Sequence, residues 1–284
     1  MTILWKDLKK RTDKEFRRLS GVERTTFLML IQLLRPAWNK RRKSGGPKSK
    51  LNINNQLLLT LSYWRNYSTY LETGAKYGVS ESRAYSICRW IEDNLIKNKT
   101  LHLPGKKMLY SQDSNLELVV FDVTECAIER PKRKPCARIK NKQRPYYSGK
   151  KKRHTLKEQI VINQKTKQII ATKQAQGKVH DFKIFKKSKH HMLPQIKAYV
   201  DSGYQGIKKI HANSMLPTKR SKKMPLTTEQ KIENMKISSI RVIVENVFAF
   251  IKKFKIIGTR YRNRRSRFGL RFNLICAIFN YENA

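Results

Sequence analysis

The sequence predicts a mixed α and β protein in two parts. The first observation is helical periodicity, which dominates up to about Met108 and then stops. The second is a set of short apolar runs after that point, read as strands, which precede or alternate with short helical segments. The third is the break between them, where Pro104-Gly105 and the polar stretch Tyr110–Asn115 interrupt both patterns. With 284 residues and 39% hydrophobic content the chain can build real cores.

In the first part, Asp13–Leu34 carries Phe16, Leu19, Phe27, Leu30 and Leu34 at helical spacing, and Pro36 is expected to stop it. Ser44–Lys48 reads as a linker. Helical patterns follow at Ile53–Trp64, Thr69–Tyr77 and Ser80–Leu95, the last two separated only by Gly78-Val79. Ser80 suits an N-cap and Glu81 suits the positive helix end. Ala84, Ile87, Cys88, Ile91 and Leu95 form one buried stripe. Gly74, four residues before Gly78, permits the close crossing that a helix-turn-helix requires. Residues 69–95 are therefore expected to form that motif, with Ser80–Leu95 as the recognition helix. Ser82, Arg83, Tyr85, Ser86 and Arg89 then face outward, and Arg83 could read guanine or hold a phosphate. An ordinary helical hairpin fits the same pattern.

In the second part, Leu116–Asp122 (LELVVFD), His154–Asn163, Ile169–Gln174 and Ile196–Val200 read as strands, the middle two paired through the Gln164–Lys167 turn. Short helices are expected at Phe182–Ser188 and Gly206–Ala212, and a brief strand at Met215–Pro217. Thr227–Ile257 reads as a long helical region with a capping-box match at Thr227 and Gln230 and a kink at Ser238-Ser239.

The charge narrows the class of partner. There are 63 Lys+Arg and 20 Asp+Glu, a formal net charge of +43. Such a chain repels itself, and a polyanion offsets that best. Arg130–Lys157 holds thirteen Lys/Arg and no acid, including Lys132, Arg133, Lys134, Lys150, Lys151, Lys152 and Arg153. Prolines and Gly149 mark most of it as loop, and Tyr146 and Tyr147 could stack on bases. The tail after Glu245 is also basic, with Glu282 its one acid. Four cysteines without a CxxC pair exclude a disulfide scaffold and a standard zinc site, and point to a reducing compartment. Cys126 and Cys136 read as packing residues. The first ten residues lack a signal-peptide pattern, and no apolar run reaches the roughly 18 residues of a membrane span.

Against this background three carboxylates stand out in apolar surroundings: Asp122 and Asp201, each expected at a strand end, and Glu245 on a helix among Ile243, Val244, Val247 and Phe248. Strand ends are where open α/β sheets bind ligands. Two or three such carboxylates can hold a pair of magnesium ions for phosphodiester chemistry. Taken singly, Asp122 could cap a turn, Asp201 could form an Asx-turn, and Glu245 could pair with Arg241.

The order and spacing of these residues resemble insertion-sequence transposases of the DDE, RNase H-like superfamily, close to the Harbinger-like branch. The resemblance spans about residues 50–280. Asp122-Val-Thr-Glu125 with Arg130-Pro131 is similar to the first aspartate motif of that family. Tyr147 to Lys157 (YSGKKKRHTLK) is similar to its strand-start signature. Gly177-Lys-Val-His180-Asp181 resembles its Gly…His-Asp segment. Asp201-Ser-Gly-Tyr204-Gln-Gly206 resembles the second aspartate motif. Arg241-x3-Glu245-x6-Lys252 matches the glutamate-helix signature, with Ser238 where the common pattern has Tyr.

The resemblance implies an RNase H-like catalytic domain, a mixed sheet flanked by helices, at residues 109–284 with a basic C-terminal tail. It implies a helical DNA-binding domain at 1–108. It further implies Asp122, Asp201 and Glu245 as ligands of two magnesium ions, with Arg241 and Lys252 near DNA. His180 and Asp181 either join the site or simply open a helix. His154 and Lys157 position a strand or DNA. The expected partners are double-stranded DNA at the element ends and target, a homo-oligomer on DNA, and no membrane. The expected place is the cytoplasm of a prokaryote-like cell, near the nucleoid. The expected activity is metal-dependent cleavage and strand transfer. The competing readings are a catalytically silent DNA-binding repressor and a basic RNA-binding or ribosome-associated protein.

Overall fold

The computed structural model describes residues 4–43, 45, 47, 49–132, 143–220 and 225–284. Parts of the expected Ser44–Lys48 linker, and Arg133, Lys134 and Cys136 of the expected basic loop, lie outside the described residues. In chain order the helices and strands are α1 (Trp5–Leu8), α2 (Asp13–Ser20), α3 (Arg24–Lys43), α4 (Ile53–Asn66), α5 (Tyr70–Tyr77), α6 (Glu81–Leu95), β1 (Leu118–Ala127), β2 (Tyr147–Ser148), β3 (Arg153–Asn163), β4 (Ile169–Gln176), α7 (Asp181–Ser188), β5 (Lys197–Tyr199), β6 (Ser214–Met215), α8 (Thr228–Lys253), α9 (Lys255–Gly258) and α10 (Phe268–Glu282). The chain forms two compact units. The first holds Met1–His102, Phe250–Thr259 and Asn263–Glu282, and the second holds Leu103–Ala249, Arg260–Arg262 and the last two residues. The first unit thus takes in Phe250–Thr259 and Asn263–Glu282 from the C-terminal part of the chain.

In the first unit the expected helix Asp13–Leu34 is two helices. Gly21 sits at φ +87 as the C-cap of α2, a left-handed conformation that ends a helix at little cost in glycine. Pro36 does not stop α3 but lies inside it. Pro36 and Gln32, four residues earlier, are both exposed, so the carbonyl left without its donor faces water. Thr69 and Glu72 form a capping box at α5, and the Ser80 side chain accepts from Arg83 N at α6, as its position implies. A Cβ on Gly74 would come within 2.6 Å of Val79 O, so only glycine lets the turn fold back on α5. Ala84, Ile87, Cys88, Ile91 and Leu95 are all buried.

Part of the expected basic tail is structural. α10 is a largely buried helix containing Phe268, Phe272, Leu274, Ile275 and Ile278. Two arginines of the tail, Arg267 just before α10 and Arg271 within it, serve the interior. Glu92 of α6 is fully buried and accepts from Trp64 Nε1 at 3.0 Å, Arg271 Nε at 2.7 Å and Arg267 Nε at 2.8 Å.

In the second unit β4, β3, β1, β5 and β6 lie side by side in one mixed sheet, with β2 added beside β3. β3 runs antiparallel to β1 and β4, whereas β5 is parallel to β1 and β6. The β3–β4 hairpin is as expected. One sheet face packs Val119, Phe121, Val161 and Ala171 against Phe185 of α7, Tyr204 and Ile207. Apolar alternation along β1 and β3 drives that burial. Thr227 and Gln230 cap α8 reciprocally, and α8 continues through Ser238-Ser239 as one helix. The expected helix at Gly206–Ala212 is a 3-10 turn at Ile207–Lys209.

Candidate active site

Sheet register explains how the two aspartates meet. β1 runs on to Ala127, so Asp122 sits mid-strand opposite Ile160, not at a strand end. Its other neighbour, β5, pairs only Leu118–Val120 with Lys197–Tyr199. Continuing that register by two residues sets Asp122 beside Asp201, where β5 has already ended. Asp122 is thus open on one edge although its strand continues. Asp201 caps a 3-10 turn, its Oδ1 accepting from Ser202 N at 2.6 Å. Asp122 Oδ1 accepts from Val123 N at 2.8 Å.

A cation stands between the two. Arg241 of α8 donates from Nη2 to Asp122 Oδ2 at 3.3 Å and from Nη1 to Asp201 Oδ1 at 3.4 Å. Both contacts are long for charge-assisted bonds. Burial pushes the Asp122 carboxyl up; Arg241 opposes that shift, while Asp201 and Asp181 add to it.

Asp181, the first residue of α7, joins the same neighbourhood. A Cβ at Gly203 would lie 3.3 Å from Asp181 Oδ2, so the glycine of Asp-Ser-Gly-Tyr leaves room for that carboxylate. Lys157 holds Asp181 at 2.8 Å, donates to Val179 O at 2.9 Å and reaches Glu125 at 3.7 Å. Tyr204 is buried and donates to Gln159 Oε1 at 3.3 Å. Its hydroxyl is pushed well up by burial, then by Asp122, Asp181 and Asp201. Gln159 also meets His190, whose ring accepts or donates at Ser188 Oγ, 2.7 Å away.

The expected set of three ligands is not preassembled. Among the described residues no three His, Cys, Asp or Glu side chains form a group that could hold a metal ion. Glu245 is exposed one turn after Arg241, and the anticipated Arg241–Glu245 pair gives way to Arg241 on the aspartates. The physical reason is repulsion: two half-buried carboxylates attract the nearest cation before a third anion. Arg241, expected near DNA, lies between the two aspartates.

Other expected residues fall elsewhere. Lys150–Arg153 occupy an exposed turn where β2 pairs with Arg153-His154, so this part of the basic run is a hairpin. His154 is half-buried against Tyr147, ring centroids 5.6 Å apart, and burial and then Arg130 lower its pKa. Arg83 is half-buried and reaches Ser49 Oγ at 3.4 Å, while Arg89 donates to Tyr85 Oη at 2.9 Å. Lys252 is exposed in the last turn of α8 and belongs to the first unit. Sequence reasoning did not pair Lys157 with Asp181 or see the role of Gln159. Their signal is the spacing of Lys157 and Gln159, two residues apart and so on one face of β3, where both are buried.

Fold and site together define a class. The model of the DDE superfamily endonucleases matches residues 121–280, and that of the helix-turn-helix of DDE superfamily endonucleases matches residues 49–98. The chain is also 44% identical over 276 residues to a probable transposase for insertion sequence element IS702 from Microchaete diplosiphon, covering 97% of each protein. It belongs to the insertion-sequence transposases of the DDE endonuclease superfamily. A pre-cleavage Mos1 transpososome aligns over 96% of this chain and 92% of its own at 11% identity, with a TM-score of 0.26, too loose a likeness to carry an argument.

Proposed function

We propose that the second unit cuts and rejoins DNA strands at Asp122 and Asp201, and that α5 and α6 direct it to the terminal inverted repeats of its element. The observation that supports this best is the Arg241 guanidinium held between two half-buried aspartates. That position already selects a cation. The donor set there is all carboxylate oxygen, which fits a hard divalent ion such as magnesium. Asp122 and Asp201 would hold it, with Glu245 as the third ligand and two ions as the full complement. Bound there, the metal would polarise the phosphodiester and generate the attacking water or 3′-hydroxyl.

The chain's own residues do the rest. Once the aspartates are engaged, Arg241 has donors free for a phosphate oxygen. Lys157 keeps Asp181 oriented toward the Asp201 turn. Assembly of several copies on DNA belongs to the same reading, because a charge of +43 makes free copies repel until phosphate neutralises them. The cytoplasm is the fitting compartment: Cys88, Cys126 and Cys276 are buried cysteines outside any disulfide. No helix among the described residues is long and apolar enough to cross a membrane.

The test is cleavage of inverted-repeat DNA with magnesium, manganese or neither. Asp122→Asn and Asp201→Asn should each lower the rate by at least roughly 10²–10³-fold while retaining DNA binding. Parental rates in either variant would remove that residue from the site. Binding without cleavage by the parental protein under every metal condition would favour a silent repressor.

A further inference from the structure

The second unit contains a basic cleft that the carboxylate chemistry does not use. It lies between the 3-10 turn Arg144–Tyr146, the end of β4 and α7, with a volume of about 880 Å³. Arg144, Lys178, His180, Lys183 and Lys187 line it, and all five are exposed. No described acidic residue forms an ion pair with any of them. Asp181 is the acid nearest in sequence, and Lys157 already neutralises it. Lys183 and Lys187 are one helical turn apart, so their charges repel. Lys186, between them, turns instead onto the Phe182 ring, 4.5 Å from its centroid.

The wall of the cleft is built. Lys178 N donates to Pro145 O at 3.0 Å, and Gly177 N to Thr155 O at 3.0 Å. A Cβ on Gly177 would collide with the Thr155 side chain and lie 2.6 Å from Tyr146 O. Glycine at this position therefore allows the two edges to close. The segment Gly177-Lys-Val-His-Asp181 then does four things in order. Gly177 permits the approach, Lys178 and His180 line the cleft, Val179 O anchors Lys157, and Asp181 joins the carboxylates.

We propose that this cleft is a channel for the phosphodiester backbone of DNA, leading one strand to Asp181 and the neighbouring aspartates. The proposal rests on the reading of that cluster as a nuclease site for its direction. Its charge chemistry stands on the cleft alone. Four uncompensated cations on a built concave surface match a run of phosphates, and each phosphate neutralised steepens the salt dependence of binding.

The test measures affinity against salt for single-stranded and duplex DNA without added metal, all proteins carrying Asp122→Asn so that binding is read without cleavage. In the full chain, Arg144→Gln, Lys178→Gln, Lys183→Gln and Lys187→Gln together should flatten the log–log slope by about 3. Each lost phosphate contact contributes about 0.7 on a single strand and 0.9 on a duplex. A control with the same charge change at exposed Lys165, Lys167, Lys208 and Lys209 should flatten it by less than about 1. Equal slopes in parent and cleft variant, or an equal change in the control, would overturn the channel. If the fourfold variant does not fold, Lys183→Gln with Lys187→Gln should give half the effect, and no change overturns the proposal equally. Undiminished cleavage by the separate Asp122→Asn protein would instead sink the nuclease reading and leave the salt result to score the cleft.

Discussion

Glu92 and Asp122 are both carboxylates met by arginine, and they differ in almost everything else. Glu92 lies in the first unit, fully buried, with two arginines and an indole N–H at 2.7–3.0 Å. Asp122 lies in the second unit, half-buried, sharing one arginine with Asp201 at contacts of 3.3 and 3.4 Å. Around Glu92 the donors are short and saturating, and nothing is left over for a ligand. Around Asp122 a second aspartate, Asp201, shares the one guanidinium, and Arg241 Nε is buried without a hydrogen-bond partner among the described residues. A closed ion-pair network fixes a fold. An under-compensated one leaves charge for a further cation, as the proposed metal would supply.

The sharpest way to break that comparison is to remove one arginine from each place. Arg271→Ala leaves Glu92 buried beside a cavity and should cost the first unit about 3–5 kcal/mol in denaturant unfolding. Arg241→Ala removes a partially exposed, long-bonded cation and should cost no more than about 1 kcal/mol. Comparable losses in the two variants would show that the second cluster is as structural as the first.

His190 gives a smaller effect confined to the second unit. Burial, then Lys106 and Lys173, lower its pKa to about 4. An imidazole of ordinary pKa near 6.5 binds a proton in the unfolded chain before it does so in the folded one. Stability is therefore present above pH 6.5 and is lost as pH falls toward 4, by at most about 3 kcal/mol. His190→Asn should flatten the melting-temperature profile across that window. An unchanged profile would assign the acid sensitivity to other groups.

The smallest expected effect concerns sequence reading. Arg83 sits near the start of α6 and its guanidinium meets Ser49 Oγ at a long 3.4 Å, so it is available to a base edge. Arg83→Ala should weaken binding to the element's ends by about 1–3 kcal/mol and to random duplex much less. Equal losses on both DNAs would make Arg83 a phosphate contact and leave specificity elsewhere on the helix.

Local signals made much of this legible without coordinates. Ser80 as an N-cap, the Thr227–Gln230 capping box, the β3–β4 hairpin and the buried stripe of α6 are short-range patterns whose physics is complete within a few residues. Asp122, Asp201 and Glu245 stand out as carboxylates in apolar surroundings, and the family resemblance, not local physics, names them with His180 and Asp181 as site candidates. The end of β1 was misjudged because five more residues of strand, Val123–Ala127, include polar Thr124 and Glu125. Their burial comes from partners on β3. The segment holding α10 was read as a basic tail because Arg267 and Arg271 resemble surface charge until Glu92 is found inside the same unit.

The sequence alone thus determined the two-part architecture, most of the helices and strands, the excess positive charge and the identity of the residues in each motif. The architecture, the elements and the charge follow from periodicity, capping and composition along the chain, and the motif residues from the family resemblance. Tertiary structure decided which charges meet. The parallel register of β1 and β5 brings Asp122 beside Asp201, α8 delivers Arg241 between them in place of Glu245, and Gly177 lets two distant edges close a basic cleft. Those outcomes depend on contacts between residues 22 to 119 positions apart, where repulsion, burial and available space select the partner and no local pattern can.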